Sequence, residues 1–395
     1  MNSGLSQGTE SEVASKPTRL YYIDWLRVLA MLSIFFYHND RFFNYHDWHM
    51  KNDVTSLWSS IHTSFFDQWM MPLFFILSGA AIFYSLRRRN AGGFIKERFL
   101  RILIPLIIVG YFLTAPPEIY LDRLSHSQFS GSFFKFYPHY FDGFDMFGGN
   151  FAWHGVHLWY LLYLFIFSLI LFPLFLSWKE AGKSLISRLA TLFEKPWAFL
   201  LLFLPLAAVD IIIDALGLGF SRLTGGWSFL SYVLFLIYGY LIFSNTLIQE
   251  IIRKYSSVAL IVAVVLSFYG LVMQFVVKWP LSFGTPYYIS VMLVRALRSF
   301  CWIVVILGFG SRFLNFNNKF LGYANEAVLP FYILHQTIIL IIGFYVIQSD
   351  MSIAAKYWII TPVSFVAIMS IYELLIRRTN VVRFLFGMRM VKHKG

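Results

Sequence analysis

Apolar runs follow one another along the chain from Tyr21 to Ile376, broken by short polar stretches. About 20 apolar residues in a helix are enough to cross a bilayer core roughly 30 Å thick. The runs predict spans over 21–38, 64–86, 99–115, 157–177, 196–216, 227–244, 257–277, 287–309, 327–348 and 354–376. The expected fold is therefore all-α, a polytopic transmembrane bundle of about ten helices. A lipid-exposed backbone must satisfy its own hydrogen bonds, and the alternating pattern of a transmembrane barrel is absent.

Composition narrows the class further. Hydrophobic residues make up 58% of the 395 and charged residues 13%, with mean hydropathy +0.65. So few charges could not cover the surface of a soluble protein, so a cytosolic enzyme and a nucleic-acid module recede together. The net charge of +12 then reads as topology. With the N-terminus inside, the inner segments carry twenty-two of the lysines and arginines and the outer loops seven, which predicts both termini in the cytoplasm. Residues 1–18 read as a polar cytoplasmic tail without a signal-peptide core, 19–378 as the membrane domain and 379–395 as a basic cytoplasmic tail. The longest connection, 116–156, falls outside. Cys301 is the single cysteine, so no intrachain disulfide forms.

Ionisable groups inside spans are costly and usually face the bundle interior. The first span holds Asp24, Arg27 and His38. Arg27 and His38 are eleven residues apart, which returns to within about 20° of the same azimuth and separates them by roughly 16 Å. Asp24 lies on that stripe as well. The pattern is a polar seam, or an interfacial Asp–Arg pair with a snorkelling histidine at the far end. Asp67 stands at the outer end of the second span. Ser78 and Gly79, in Phe74-Phe75-Ile76-Leu77-Ser78-Gly79, are small enough to admit a neighbouring helix closely, and Ser78 is also a candidate donor contact. Arg98 and Arg101 share a face at the start of the third span, where two guanidinium groups clamp a phosphate well; Arg87 to Arg89 fit positive-inside retention alone. Asp210 or Asp214 is the expected partner of Arg298. His335 suits either interhelical hydrogen bonding or chemistry. Of the ten histidines, eight fall at or beyond the outer membrane edge, but no metal-binding spacing appears, and neither a Walker loop nor a dinucleotide glycine pattern is present.

Taken in order, these residues resemble the acyltransferase-3 family of integral membrane acyltransferases. The carriers are Asp24-Trp25-Leu26-Arg27 continuing to His38, Phe74 to Gly79, Arg98-Phe99-Leu100-Arg101, and Tyr332-Ile333-Leu334-His335-Gln336. Together they cover about 20–378. His157-Leu158-Trp159-Tyr160-Leu161 and the lack of a fused hydrolase-like domain bring the resemblance nearest to the glucan-biosynthesis branch. It implies transfer of an acyl group, acetyl or succinyl, from cytoplasmic acyl-CoA to a hydroxyl of an extracytoplasmic carbohydrate, such as a periplasmic glucan or a surface polysaccharide. Acyl-CoA would be a co-substrate, with no permanently bound cofactor, no metal and no nucleic acid, in the inner membrane. On this reading His38 is the general base, with Arg27 or Asp24 ordering the seam or contacting the donor's pantetheine arm. Arg98, Arg101 and Ser78 meet the donor, while His335 and Asp67 support the site from behind. The outer loop 116–156 holds twelve aromatics. Tyr137, Tyr140 and Trp153 are candidates to stack on acceptor sugars, against an interfacial belt as the alternative. The rival class is a secondary transporter or proton-coupled exchanger using the buried charges as an ion path, which would want two similar halves with broken helices. A purely structural membrane protein leaves the Arg27–His38 spacing unexplained. The spacing leaves the oligomeric state open.

Overall fold

The structure is a computed structural model that describes residues 19–218, 226–279 and 281–391. The expected N-terminal tail 1–18, Arg222 and the last four residues lie outside them. Helices account for nearly all regular structure: α1 (Tyr21–Asp40), α2 (Leu57–Phe66), α3 (Met70–Arg88), α4 (Ala91–Arg98), α5 (Ala115–Ser125), α6 (Phe133–His139), α7 (Trp159–Ile170), α8 (Phe172–Glu180) and α9 (Lys183–Phe193). They continue with α10 (Pro196–Leu200), α11 (Leu204–Ala215), α12 (Phe229–Ser244), α13 (Thr246–Val272), α14 (Pro286–Phe313), α15 (Lys319–Ile347), α16 (Ile353–Ile371) and α17 (Asn380–Leu385). Among the described residues seven helical segments are long and apolar enough to cross a membrane, and eight if the bent pair α7–α8 is one span. The bend of 51° falls where Pro173, in the first turn of α8, withholds a backbone N–H. Two more of the expected segments are helical but differ from the rest. The α1 helix carries Asp24, Arg27 and His38 and is less apolar, and α12 is short.

Polar residues set where the helices begin. Asn318 accepts the Leu321 N–H at 2.7 Å to open α15, and Thr285 accepts the Tyr288 N–H at 3.1 Å to open α14. Between α4 and α5 the chain stays helical but widens, with π-type turns over Phe99–Leu103 and Pro105–Thr114. Pro105 has no N–H to close the bond to the Arg101 carbonyl, and such widened turns are common at functional sites. Gly387, at φ +70°, lies against that carbonyl; a Cβ there would stand 2.7 Å from it. The segment after α16 is thus packed down, and buried Arg383 fixes it to Glu326 at 2.5 Å.

One large apolar core runs through the bundle. The α3 helix packs along α12 with almost no space between backbones. A Cβ on Gly79 would approach the Leu236 carbonyl to 2.2 Å, and one on Gly239 would approach that of Ile76 to 2.1 Å. The close-packing role read from Ser78–Gly79 thus falls to Gly79. A small second core, built from Ile119, Phe136, Tyr140, Ala152 and neighbours, gives the segment after α5 its own fold. The two ends of the bundle differ: Arg27, Arg89, Arg98 and Arg101 gather at one, and histidines at the other.

Candidate active site

The seam on α1 is present, and its two ends have different partners. At the basic end Asp24 accepts from Arg19 at 2.6 Å and from Arg27 at 3.1 Å. Arg27 also donates to Asn325 Oδ1 at 3.1 Å, which ties α1 to α15. Asp24 and Arg27 are therefore held together, away from His38 at the other end of the helix.

The histidine end is a densely built polar region. The rings of His38 and His335 are 5.1 Å apart, and His335 is 5.1 Å from His157. Trp48, from the connection between α1 and α2, stacks over His38 at 5.8 Å. Behind His157 lies Glu118, fully buried, with its carboxylate 2.8 Å from Nδ1 of that ring. Glu118 also accepts from Thr337 Oγ1 at 2.5 Å and from Gln336 Nε2 at 3.0 Å. The remaining nitrogen of His157 faces the Ile333 carbonyl at 3.1 Å. Both ring nitrogens of His157 are thus engaged within the protein. Tyr332 braces the arrangement twice, its phenol donating to the His157 carbonyl at 2.6 Å and its own carbonyl lying 2.6 Å from His335 Nδ1.

Two nitrogens remain unsatisfied. Neither His38 Nδ1 nor His335 Nε2 has a hydrogen-bond partner, although both atoms are buried. Buried polar atoms are nearly always paired, so two unpaired imidazole nitrogens on adjacent rings single this region out as a candidate site. No group of three or more metal-capable side chains converges among the described residues.

At the basic end, Glu97 is shared by Arg89 at 2.9 Å, Arg101 at 3.6 Å and Arg98 at 3.8 Å. One carboxylate among three guanidinium groups leaves net positive charge. Arg98 is buried over the Phe94 ring at 4.8 Å, and its Nε has no partner. Ser78 Oγ meets Tyr160 Oη at 2.5 Å, and the charges of Arg27 and Arg98 both act on that phenol. Of the expected donor residues, Arg98 and Arg101 thus share Glu97, and Ser78 joins Tyr160, on which Arg98 also acts.

Other expected residues lie apart from this region. Asp67 interacts with Tyr37 and Arg41 and does not touch the histidines. In the connection 116–156 Tyr140 is fully buried in the segment's own core, so it has no face to offer a sugar. Tyr137 is half-buried, with its hydroxyl on the Phe112 carbonyl, and Trp153 remains 38% exposed. The expected partner of Arg298 is also corrected. Arg295 faces Asp210, at 3.7 Å, and its guanidinium covers the Trp227 ring, while Arg298 points at Gly270 on α13. Three residues along a helix turn the side chain by about 300°, so the two arginines address different neighbours.

Sequence reasoning did not single out Glu118, His49 or Trp48, and it used His157 only as part of a motif. Glu118 follows two prolines in Pro116-Pro117-Glu118, the one signal that a helix restarts there with a carboxylate near its first turn.

Comparison with known proteins identifies the family. A family model described as an acyltransferase domain matches residues 20–373. Glucans biosynthesis protein C of Escherichia coli strain K12 is 24% identical over 348 residues, covering 83% of this chain and 84% of the relative. The protein of the same name from Salmonella schwarzengrund strain CVM19633 is similar to the same extent. No solved structure matches the chain.

Proposed function

Because the chain belongs to the acyltransferase-3 family and is a multi-pass membrane acyltransferase, we propose that it moves an acyl group from cytoplasmic acyl-CoA to a hydroxyl of an extracytoplasmic carbohydrate. The observation that carries this reading is the pair of adjacent rings, His38 and His335, each with a buried unpartnered nitrogen. An imidazole is suited to relieve a hydroxyl of its proton as it attacks a thioester. The relatives' names, glucans biosynthesis protein C, support a glucan or another glycan as the acceptor. Acetyl and succinyl are the acyl groups we favour. The excess of lysine and arginine in one set of loops supports cytoplasmic termini and insertion in the inner membrane.

The donor enters from the basic end. Arg98 and Arg101 meet the anionic phosphates of CoA, and Ser78 and Tyr160 line the way inward. An extended pantetheine arm spans the roughly 16 Å of helical rise from Arg27 to His38. The acceptor hydroxyl rests against the two histidine rings. No step needs a metal.

The test begins with purified protein and acetyl-CoA or succinyl-CoA in a calorimeter. Binding is expected, together with loss of acyl groups from the surface glycans of a deletion strain by mass spectrometry. His38→Ala should impair transfer and still bind the donor. Absence of donor binding with unchanged glycans would sink the enzyme reading and favour an ion-coupled carrier.

A further inference from the structure

Resting on the acyl-transfer reading, we infer that His335 takes the acceptor's proton and that His38 orients the hydroxyl. The argument starts from hydrogen-bond stoichiometry. His335 Nδ1 lies 2.6 Å from the Tyr332 carbonyl oxygen, which can only accept. Nδ1 therefore carries the hydrogen, and in the neutral ring the lone pair is on Nε2. That nitrogen is the unpartnered one, on a residue with no exposed surface. The backbone of α15 has thus fixed the tautomer with its basic nitrogen unused by the protein.

The neighbouring rings cannot take this role equally well. His157 has both nitrogens engaged, one by Glu118 and one by the Ile333 carbonyl, so neither is left to face a ligand. Nothing hydrogen-bonds His38 Nδ1, so no protein group dictates where its hydrogen sits. What is fixed is the ring plane, stacked within 20° of parallel to Trp48. A ring held in orientation but free in tautomer can present an N–H to the oxygen of a bound hydroxyl. His335 then receives that hydroxyl's hydrogen. His157 acts as a positioning residue, since its ring sits edge-on to His335 and its carbonyl holds the Tyr332 phenol.

The step balances without an external reagent. The acceptor O–H bond breaks and its proton passes to His335 Nε2 as the oxygen bonds to the thioester carbonyl carbon. The carbon–sulfur bond then breaks, and the departing CoA thiolate takes the proton back from the His335 imidazolium. The products are the carbohydrate ester and free CoA, with no change of oxidation state.

The test compares glutamine substitutions at the two rings in the purified full chain, with acetyl-CoA or succinyl-CoA and a glucan oligosaccharide. Glutamine still donates an N–H but takes up no proton. His335→Gln should lower kcat by about a hundredfold or more, within the usual range for a lost general base, with donor Kd unchanged. His38→Gln should retain more turnover than His335→Gln. The reverse order would return the base to His38 and overturn the inference, as would near-normal kcat in His335→Gln. Should His335→Gln fail to fold, His335→Ala assayed with and without millimolar imidazole decides: recovered turnover supports the assignment and unchanged turnover overturns it. Wild-type protein that neither binds the donor nor transfers from it would instead remove the acyl-transfer reading itself.

Discussion

Glu118 and His157 stand 2.8 Å apart with side chains no more than 1% exposed, so the pair is held where water does not reach. Three further contacts converge on it or its partner, from Thr337, Gln336 and the Ile333 carbonyl. Such a site is costly to break from one side, because the remaining group stays buried and unpaired. Glu118→Ala should therefore destabilise the protein by about 3–5 kcal/mol, with Glu118→Gln milder since its amide oxygen still accepts. Thermal unfolding in detergent checks the order. Equal melting of both variants and the parent would mean that the cluster is held by its surroundings alone.

At the other end of the bundle, Arg98 and Arg101 compete with Arg89 for one carboxylate, Glu97. Their spare positive charge is available to phosphate. Arg98→Ala and Arg101→Ala should each weaken acyl-CoA binding by roughly tenfold, the usual scale for a hydrogen bond to a charged group. The loss should be larger at low salt, where phosphate contacts are least screened. Arg88, exposed on the last turn of α3, should be replaceable by Ala with little effect. Equal losses at all three positions by titration calorimetry would indicate a diffuse basic surface.

How much of this was legible in the sequence follows from what each residue type signals on its own. An apolar run announces a helix, and a charge inside one announces a cost, so α1, α3, α15 and the residues Asp24, Arg27, His38 and His335 could be read directly. Glu118 and His157 sit at or just beyond the expected ends of spans, where a polar side chain needs no explanation. Only the continuation of the widened helix to Ser125 carries Glu118 into the core. The pairing of Arg295 with Asp210 depends on helix rotation relative to α11, which spacing within α14 does not contain. Trp48 and His49 come from an irregular connection whose path is set by tertiary contacts, among them His49 with Asp122 at 3.3 Å.

The 116–156 loop predicts an acid-sensitive contact. Burial by itself would raise the Asp145 carboxyl, but His154 at 3.0 Å and Arg123 at 2.8 Å outweigh it and hold the group below its ordinary 3.8. A depressed carboxylate contributes stability fully above its unfolded value and loses it as pH falls through the folded one. The loop should therefore stay closed at neutral pH and loosen only below the usual carboxylate range. Trp153 reports this, since its indole N–H donates to the Asp145 carbonyl at 3.1 Å. The fluorescence difference between the parent and Trp153→Phe should change in acid, and Asp145→Asn should remove the transition. A transition that persists in that variant would assign the acid response to another group.

The same loop separates acceptor contact from scaffold. Tyr140 belongs to the loop's own core together with Phe136, Ile119 and Ala152, and truncating a buried aromatic to Ala costs about 3–5 kcal/mol. Tyr140→Ala should accordingly unfold the loop and act on stability first. Tyr137 and Trp153 keep partly open faces, and an aromatic face stacks on the apolar side of a sugar ring. Their alanine variants should raise the apparent KM for the carbohydrate and leave acyl-CoA affinity unchanged, which is how lost acceptor binding reads in kinetics. The most exposed loop rings, Phe134 and Phe147, carry no hydrogen-bonding tip and suit the headgroup layer. Their replacement should alter the loop's contact with the bilayer surface and spare KM. If Tyr137→Ala and Trp153→Ala lower donor affinity in parallel, the loop is a scaffold and the carbohydrate meets the histidines by another approach.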